Sequence, residues 1–133
     1  MKKKIFVNGT FDILHPGHVA LLTHARGLGD RLLVAIDSDR RVKELKGLDR
    51  PINTQTDRLT MLSALRAVDA VAVFDTDQDL IDIIRTWGPD IMVKGSDYCG
   101  QPIIGAELCK EIEFFERIDE YSTTKTIQHI TDR

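Results

Sequence analysis

Residues 8–18 read NGTFDILHPGH, and the segments on either side of this stretch decide the fold. The run Ile5-Phe6-Val7 before it is short, apolar and rich in strand formers. The residues after it repeat apolar side chains at helical spacing, at Val19, Leu21, Leu22 and Ala25. Pro16 suits the first turn of a helix, where its missing N–H would have no partner. The stretch therefore predicts a strand, a tight turn and a helix, in that order.

Strand-like and helix-like segments continue to alternate along the rest of the chain. Strands are predicted over 31–37, 70–74, 90–93 and near 112–115, and helices over 54–67, over 77–87 and from near 122–124. A polar, glycine-containing loop over 94–105 precedes a further short helix. This alternation predicts an α/β fold, a doubly wound parallel sheet with helices on both faces. Such sheets bind ligands beyond the carboxyl ends of their strands, where the strand order reverses, and the junction at residues 8–18 suits such a place.

Composition predicts one domain over residues 1–133, since the chain is 133 residues long with 42% hydrophobic content. The net charge of −3 argues against a general nucleic-acid surface. We therefore expect no nucleic-acid partner. No apolar run approaches the length of a membrane span, so we also expect no membrane partner and a cytoplasmic location. Cys99 and Cys109 are expected to be free thiols.

His15 and His18 are the candidate chemical centre. Residues three apart on a helical turn share a face, so the two imidazoles can converge on one phosphate group as hydrogen-bond donors. Gly17 lets a ligand approach the backbone closely, and free amides at the helix start would favour an anion. Alternatively, each histidine is an ordinary surface or core residue. A zinc site that adds Asp12 or a cysteine is less favoured, because no nearby cysteine or third histidine completes a familiar spacing.

The motif Gly9-Thr10-Phe11-Asp12 followed by His15-Pro16-Gly17-His18 resembles the signature of the cytidylyltransferase-like nucleotidyltransferases. The resemblance continues through residues 25–32, 34–39, 45–47, 50–53, 67–69 and 93–98, which together span nearly the whole chain. It implies a Rossmann-like fold and transfer of a nucleoside monophosphate from a nucleoside triphosphate to a phosphorylated sugar or polyol, with release of pyrophosphate. Among members, the segments are most similar to the D-glycero-D-manno-heptose 1-phosphate adenylyltransferases. The glycerol-3-phosphate cytidylyltransferases are next.

The resemblance also implies residue roles. His15, His18 and Lys46 would be catalytic, and Arg58 would bind the acceptor phosphate through two parallel hydrogen bonds. The positions carried over as nucleotide-binding are Gly9, Thr10, Phe11, Asp12, Gly17, Asp39, Lys94, Asp97, Arg117, Ser122, Thr123 and Thr124. Residues 93–98 favour ATP, whereas Arg117 matches the cytidylyltransferases, so ATP and CTP both remain candidates. Alternatives from the residues alone are a solvated helix face around Lys46, a brace of the turn by Asp12, and an N-cap at residues 122–124.

An acceptor that already carries a phosphate is a ready nucleophile, so the main obstacle to reaction is repulsion between two polyanions. Catalysis should therefore consist of positioning and electrostatic stabilisation. Mg²⁺ is expected, bound mainly through substrate phosphates rather than by a protein metal site. The resemblance also implies a homodimer. Two other functional classes stay open: a non-catalytic nucleotide-binding module, and a redox protein that uses Cys99 and Cys109.

Overall fold

The computed structural model describes residues 2–116 and 127–128, and strands and helices alternate along it as predicted. The strands are β1 (Lys4–Gly9), β2 (Arg31–Asp37), β3 (Ala70–Phe74), β4 (Ile91–Gly95) and β5 (Glu111–Phe115). The helices are α1 (Pro16–Gly27), α2 (Asp39–Lys46), α3 (Gln55–Ser63) and α4 (Asp77–Trp87). Two single 3-10 turns, Ser96–Tyr98 and Ala106–Leu108, lie between β4 and β5. Ile127 and Gln128 are helical, and the rest of the helix predicted from near 122–124 lies outside the described residues.

The five strands form one parallel sheet in the order β3-β2-β1-β4-β5. The chain moves outward from β1 to β2 and β3, then returns to β4 and β5 on the other side of β1. The strand order therefore reverses between β1 and β4, and the carboxyl ends of these two strands flank the crevice where such sheets bind ligands.

Both faces of the sheet are covered, because side chains along β1 alternate between two apolar clusters. Ile5 packs with Leu22 of α1 and Leu62 of α3 on one face. Phe6 packs with Leu80 and Ile84 of α4 on the other face. The predicted doubly wound α/β fold is thereby confirmed. Among the described residues, no helix is long and apolar enough to cross a membrane.

The helix bounds differ from prediction in one segment. The helix predicted over 54–67 begins as expected, with the Thr54 hydroxyl accepting from the Asp57 N–H at 3.2 Å, but α3 ends at Ser63. Single turns follow it, closed by hydrogen bonds such as that from the Leu65 N–H to the Leu62 carbonyl. No glycine or proline marks this end in the sequence, so apolar spacing alone placed it too late.

Candidate active site

A cavity of about 490 Å³ opens at the carboxyl ends of β1 and β4, where the strand order reverses. Its walls are formed by the turn after β1, the start of α1, the end of α2 and the loop after β4. Ten of the predicted site residues line it: Gly9, Thr10, Phe11, Asp12, His15, Gly17, His18, Lys46, Lys94 and Asp97. Asp39 and Arg58 do not line it. The predicted roles of Arg117, Ser122, Thr123 and Thr124 fall on positions outside the described residues.

The two histidines begin helix α1 and stack on one another. Their ring centroids lie 3.7 Å apart with the planes 19° from parallel. His15 is the N-cap, and its Nδ1 accepts from the main-chain N–H groups of Gly17 at 3.1 Å and His18 at 3.4 Å. The Nδ1 of His18 accepts in return from the main-chain N–H of His15 at 3.3 Å. The pair therefore forms a capping box built from imidazoles instead of the usual hydroxyl and carboxylate.

This cap determines the tautomer of each neutral imidazole ring. In a neutral imidazole one nitrogen accepts and the other carries the proton. Because Nδ1 accepts in both rings, the proton of each neutral ring lies on Nε2, which makes Nε2 the donor. The cap also corrects one expectation, because the Gly17 and His18 amides are engaged by His15 and Pro16 has no N–H. An anion at this helix start would therefore be held by imidazole side chains, aided by the helix dipole.

The turn before the histidines is shaped by Phe11. Its φ is +51°, in the left-handed region that bulky side chains rarely adopt, and its side chain is buried. The Phe11 ring centroid lies 5.0 Å from that of His18, so the two rings are in contact and Phe11 limits the movement of the imidazole. A Cβ at Gly9 would approach the Phe11 ring to 3.0 Å. Strain of this kind costs on the order of 1–3 kcal/mol and occurs most often at functional sites.

Asp12 braces a neighbouring loop. Its carboxylate is 1% exposed and accepts from the main-chain N–H groups of Ile52 and Asn53, each at 2.8 Å, and from the Arg50 Nε at 3.3 Å. The Asn53 side-chain amide donates to the Asp12 carbonyl at 2.6 Å. Asp12 lines the cavity, yet its oxygens are largely occupied by these donors. The geometry therefore supports the bracing interpretation.

The acceptor-phosphate role of Arg58 stays a prediction, because the structure surrounds this side chain with protein acceptors and does not place it in the cavity lining. Its side chain is 0% exposed, and its guanidinium donates to the carbonyl oxygens of Asn53, Thr10 and Asp37 at 3.0, 2.9 and 2.7 Å. Its Nη2 donates to the Asp39 carboxylate at 2.9 Å. Four protein acceptors therefore surround a buried cation, which joins the β1 turn, the end of β2 and the start of α3.

Asp39 is held in a similar way. Besides Arg58, its Oδ1 accepts from the Gln55 N–H at 2.7 Å, and its own N–H donates to the Gln55 side chain at 2.9 Å. These contacts link the starts of α2 and α3 and direct the carboxylate toward Arg58 instead of the cavity. The nucleotide-binding role of Asp39 therefore stays a prediction that this geometry does not support.

Cations line two sides of the cavity. Lys46 is the last residue of helix α2 and lines the cavity. Lys94 follows the β4 core, with its Nζ 4.8 Å from the Tyr98 ring centroid. Burial lowers the pKa of Lys94, and the nearby Asp37 carboxylate partly opposes this shift. A phosphate bound next to such a partly dehydrated lysine would stabilise its charged ammonium form.

Two charged cavity residues were missed by the sequence reasoning. Asp37 ends β2 and Arg41 lies one turn into α2, and both line the cavity. The Arg41 Nε donates to the Asp37 Oδ1 at 2.9 Å, an i,i+4 pair that spans the N-cap Ser38. The sequence signal was present, because an acidic residue at the end of a predicted strand with an arginine four residues later suits such a pair.

Metal and thiol chemistry find little support in the described residues. Across residues 2–116 and 127–128, no group of three or more His, Cys, Asp or Glu side chains could hold a metal ion. Cys99 and Cys109 are free and do not line the cavity. Burial, with a smaller effect of Glu107, raises the pKa of the Cys109 thiol, which disfavours the reactive thiolate.

Known proteins share both the sequence and the fold. The Cytidylyltransferase-like family matches residues 6–129. The chain is 49% identical over 129 residues to "Bifunctional protein HldE" of Campylobacter fetus subsp. fetus, covering 97% of this chain and 28% of that protein. The Sulfurimonas denitrificans protein of the same name is 49% identical over 131 residues, with 97% and 27% covered. The chain thus spans little more than a quarter of the length of these relatives.

Solved structures agree with this assignment. A lipopolysaccharide core biosynthesis protein from Thermoplasma volcanium GSS1 superposes with a TM-score of 0.72 at 27% identity, covering 87% of this chain and 98% of that one. A pantoate-beta-alanine ligase from Francisella tularensis, at 17% identity and a TM-score of 0.53 over 80% of this chain and 52% of that one, shares the fold alone. With a parallel sheet that reverses at β1, a capped histidine pair at that point and a family match over almost its whole length, the chain belongs to the Cytidylyltransferase-like family.

Proposed function

We propose that this chain transfers AMP from ATP to D-glycero-D-manno-heptose 1-phosphate and releases pyrophosphate. The observation that carries the proposal is the stacked histidine pair in a cavity at the sheet's reversal point, where the capping bonds make Nε2 the donor nitrogen of each neutral ring. The similarity to relatives named bifunctional protein HldE, together with the resemblance of the motifs to the heptose 1-phosphate adenylyltransferases, supports the choice of substrates.

The reaction depends on stabilising negative charge more than on removing a proton. A phosphate oxygen of the acceptor attacks the α-phosphorus of ATP, a new P–O bond forms, and the bond to the departing pyrophosphate breaks. Negative charge increases on the leaving group, so donors that are already oriented stabilise the transition state without rearranging. Imidazoles held by backbone hydrogen bonds meet this requirement.

We assign roles to cavity side chains on this basis. The Nε2–H groups of His15 and His18 donate to the triphosphate and its transition state, and Lys46 neutralises the departing pyrophosphate. Lys94, near the end of β4, also lines the cavity, and its partly buried ammonium suits a nucleotide phosphate or ribose. Gly9 at the end of β1, Thr10, and Gly17 in the first turn of α1 line the cavity where phosphates would approach the backbone.

Mg²⁺ fits this cavity only as an ion carried by the substrates. Across residues 2–116 and 127–128 no group of three or more His, Cys, Asp or Glu side chains could hold a metal ion, and Asp12 is largely occupied by protein donors, so substrate phosphates and water would be its main ligands. When bound, the ion would neutralise phosphate charge. The protein residues orient the phosphates whether or not such an ion accompanies them.

A pyrophosphate-release assay tests the proposal directly. The purified chain is given ATP or CTP in combination with heptose 1-phosphate or glycerol 3-phosphate, with Mg²⁺ and with a chelator. We expect release with ATP and heptose 1-phosphate. Preference for CTP and glycerol 3-phosphate would establish the cytidylyltransferase alternative, and nucleotide binding without release in any combination would establish a non-catalytic binding module.

Two further expectations accompany the proposed activity. The cytoplasm is the proposed location because nucleoside triphosphates are available there, and cell fractionation tests it. A homodimer is the proposed assembly, which light scattering of the purified chain tests.

A further inference from the structure

The cavity has two chemically different walls. The wall built by the loop after β4 is largely apolar and includes Tyr98, Pro102, Ile103 and Ile104. The wall built by the end of β2 and helix α2 includes the charged pair Asp37 and Arg41. A flat heterocyclic base suits the first wall, whereas a ligand rich in hydroxyl groups suits the second.

The charged pair is held in a fixed arrangement. The Asp37 side chain is 11% exposed and the Arg41 side chain 17% exposed. Asp37 accepts from the Arg41 Nε through Oδ1 and from the Thr10 hydroxyl at 3.1 Å through Oδ2. The Arg41 Nη2 donates to Asp77 at 2.8 Å, and the guanidinium carbon lies 5.0 Å from the Phe74 ring centroid. Neither side chain needs to reorganise to meet a ligand.

The pair also has unused hydrogen-bonding capacity. A carboxylate offers about four acceptor sites, of which the protein uses two at Asp37. Within the described residues, no hydrogen bond engages the Nη1 of Arg41. One hydroxyl group can donate to the carboxylate and accept from a guanidinium, so the pair is complementary to neighbouring hydroxyls on a sugar ring.

The pair and the histidines line the same cavity, and the proposed reaction indicates which hydroxyls the pair would meet. The acceptor's phosphate must lie beside the α-phosphorus of the triphosphate that the histidines bind, because that phosphate is the nucleophile. The body of the acceptor then extends along one wall, and the nucleotide base extends along the other. The apolar wall suits the base, which leaves the β2–α2 wall for the acceptor.

We propose that Asp37 and Arg41 bind hydroxyl groups of a polyhydroxylated sugar phosphate and thereby set the acceptor specificity, an inference that rests on the proposed function. The ribose of the nucleotide is the other possible source of such hydroxyls, and the kinetic test separates the two.

The test compares two cavity variants with two matched controls. Asp37→Asn removes the charge while keeping side-chain size, and Arg41→Gln replaces the guanidinium with a shorter, uncharged amide. Arg40→Gln changes the neighbouring arginine of α2, which binds Asp75 and Glu44 and does not line the cavity. Asp77→Asn removes the other carboxylate partner of Arg41 while leaving the cavity lining unchanged. Urea unfolding of every variant confirms that it is folded.

Each cavity variant should lower kcat/KM for heptose 1-phosphate by roughly tenfold to a hundredfold, the loss typical of one hydrogen bond to a charged group. The KM for ATP should stay within about twofold, and Arg40→Gln should resemble the unmodified protein in kcat/KM. Asp77→Asn should lose less than Arg41→Gln, because the asparagine oxygen can still accept from the Arg41 Nη2. The kcat/KM for glycerol 3-phosphate, which carries fewer hydroxyls, should fall less in the cavity variants. A rise in the KM for ATP alone would assign the pair to the ribose and overturn the proposal, as would equal losses in Asp77→Asn and Arg41→Gln.

Calorimetric titration with heptose 1-phosphate keeps this inference separate from the proposed function. If the unmodified protein binds this sugar phosphate, Asp37→Asn and Arg41→Gln should weaken binding and Arg40→Gln should not, even when no pyrophosphate is released. Release by the unmodified protein with unchanged acceptor kinetics in both cavity variants would leave the function standing and refute the inference. Absence of sugar phosphate binding by the unmodified protein would also refute the inference. If a cavity variant does not unfold cooperatively, the unmodified protein alone provides the test. Tighter binding of heptose 1-phosphate than of glycerol 3-phosphate would then support the inference, and equal or weaker binding would refute it.

Discussion

Replacing Arg58 with alanine should destabilise the protein strongly, because the guanidinium is a buried cation with four protein acceptors. The substitution leaves three main-chain carbonyl oxygens and the Asp39 carboxylate without their donor, at distances that were 2.7–3.0 Å. Removing one partner of a buried ion pair costs about 3–5 kcal/mol. That loss is a large share of the roughly 5–15 kcal/mol by which a typical domain is stable.

Urea unfolding at neutral pH measures this loss, with the unfolding slope shared between variants. Arg85→Ala is the matched control, since Arg85 is 62% exposed and lies 3.6 Å from Asp82. We expect the control to change the free energy of unfolding by no more than about 0.5 kcal/mol. A loss below about 1 kcal/mol for Arg58→Ala, together with a raised KM for the acceptor, would refute the structural role and restore the phosphate-binding role.

Three further predictions concern the cavity. His18→Asn should lower turnover by roughly a hundredfold or more with little change in melting temperature. His24→Asn, on the exposed side of the same helix, should keep wild-type turnover. Equal turnover of the two variants would refute the role assigned to His18. His15→Ala should lose both turnover and about 1 kcal/mol of stability, while His15→Asn should lose turnover alone because asparagine also caps helices; urea midpoints and pyrophosphate release separate the two effects. Lys94→Met should raise the urea midpoint at pH 7, where the unmodified protein carries a partly buried charge. Because burial lowers the folded-state pKa of Lys94, the difference between the two midpoints should shrink as the pH rises through that pKa toward the unfolded value of 10.5. A difference that does not change with pH would contradict this prediction.

Local sequence patterns predicted the sheet because each pattern acts within one element. The runs at 31–37 and 70–74 are continuous and apolar, and the structure has strands over those same residues. Helix α4 was placed correctly at 77–87 because a capping threonine precedes it and Gly88, with a φ of +64°, follows it. Where the end of a helix lacked such a signal, as after Ser63, the prediction extended too far.

The motif predicted residues that line the cavity but not the interactions around them. Arg58 was assigned to a phosphate, although it lies four residues before Leu62 and so shares that residue's buried helix face. Its acceptors come from positions 10, 37, 39 and 53, and only the folded chain brings these together. The same holds for Asp12, whose donors lie about forty residues away along the chain. Long-range polar contacts of this kind have no periodic signature.

The order of residues in the 8–18 stretch has a physical explanation that joins fold and chemistry. An aspartate at position 15 would also cap α1, but it would offer no donor beyond the cap. A histidine uses Nδ1 for the cap and thereby directs its proton to Nε2, so the hydrogen bonds that start the helix also orient the proposed phosphate donor. His18 repeats this arrangement from the first helical turn, and stacking at 3.7 Å keeps the two rings nearly parallel. The preorganisation that phosphoryl transfer needs is therefore supplied by helix capping itself, and Pro16 contributes by removing the amide that would have competed for the cap.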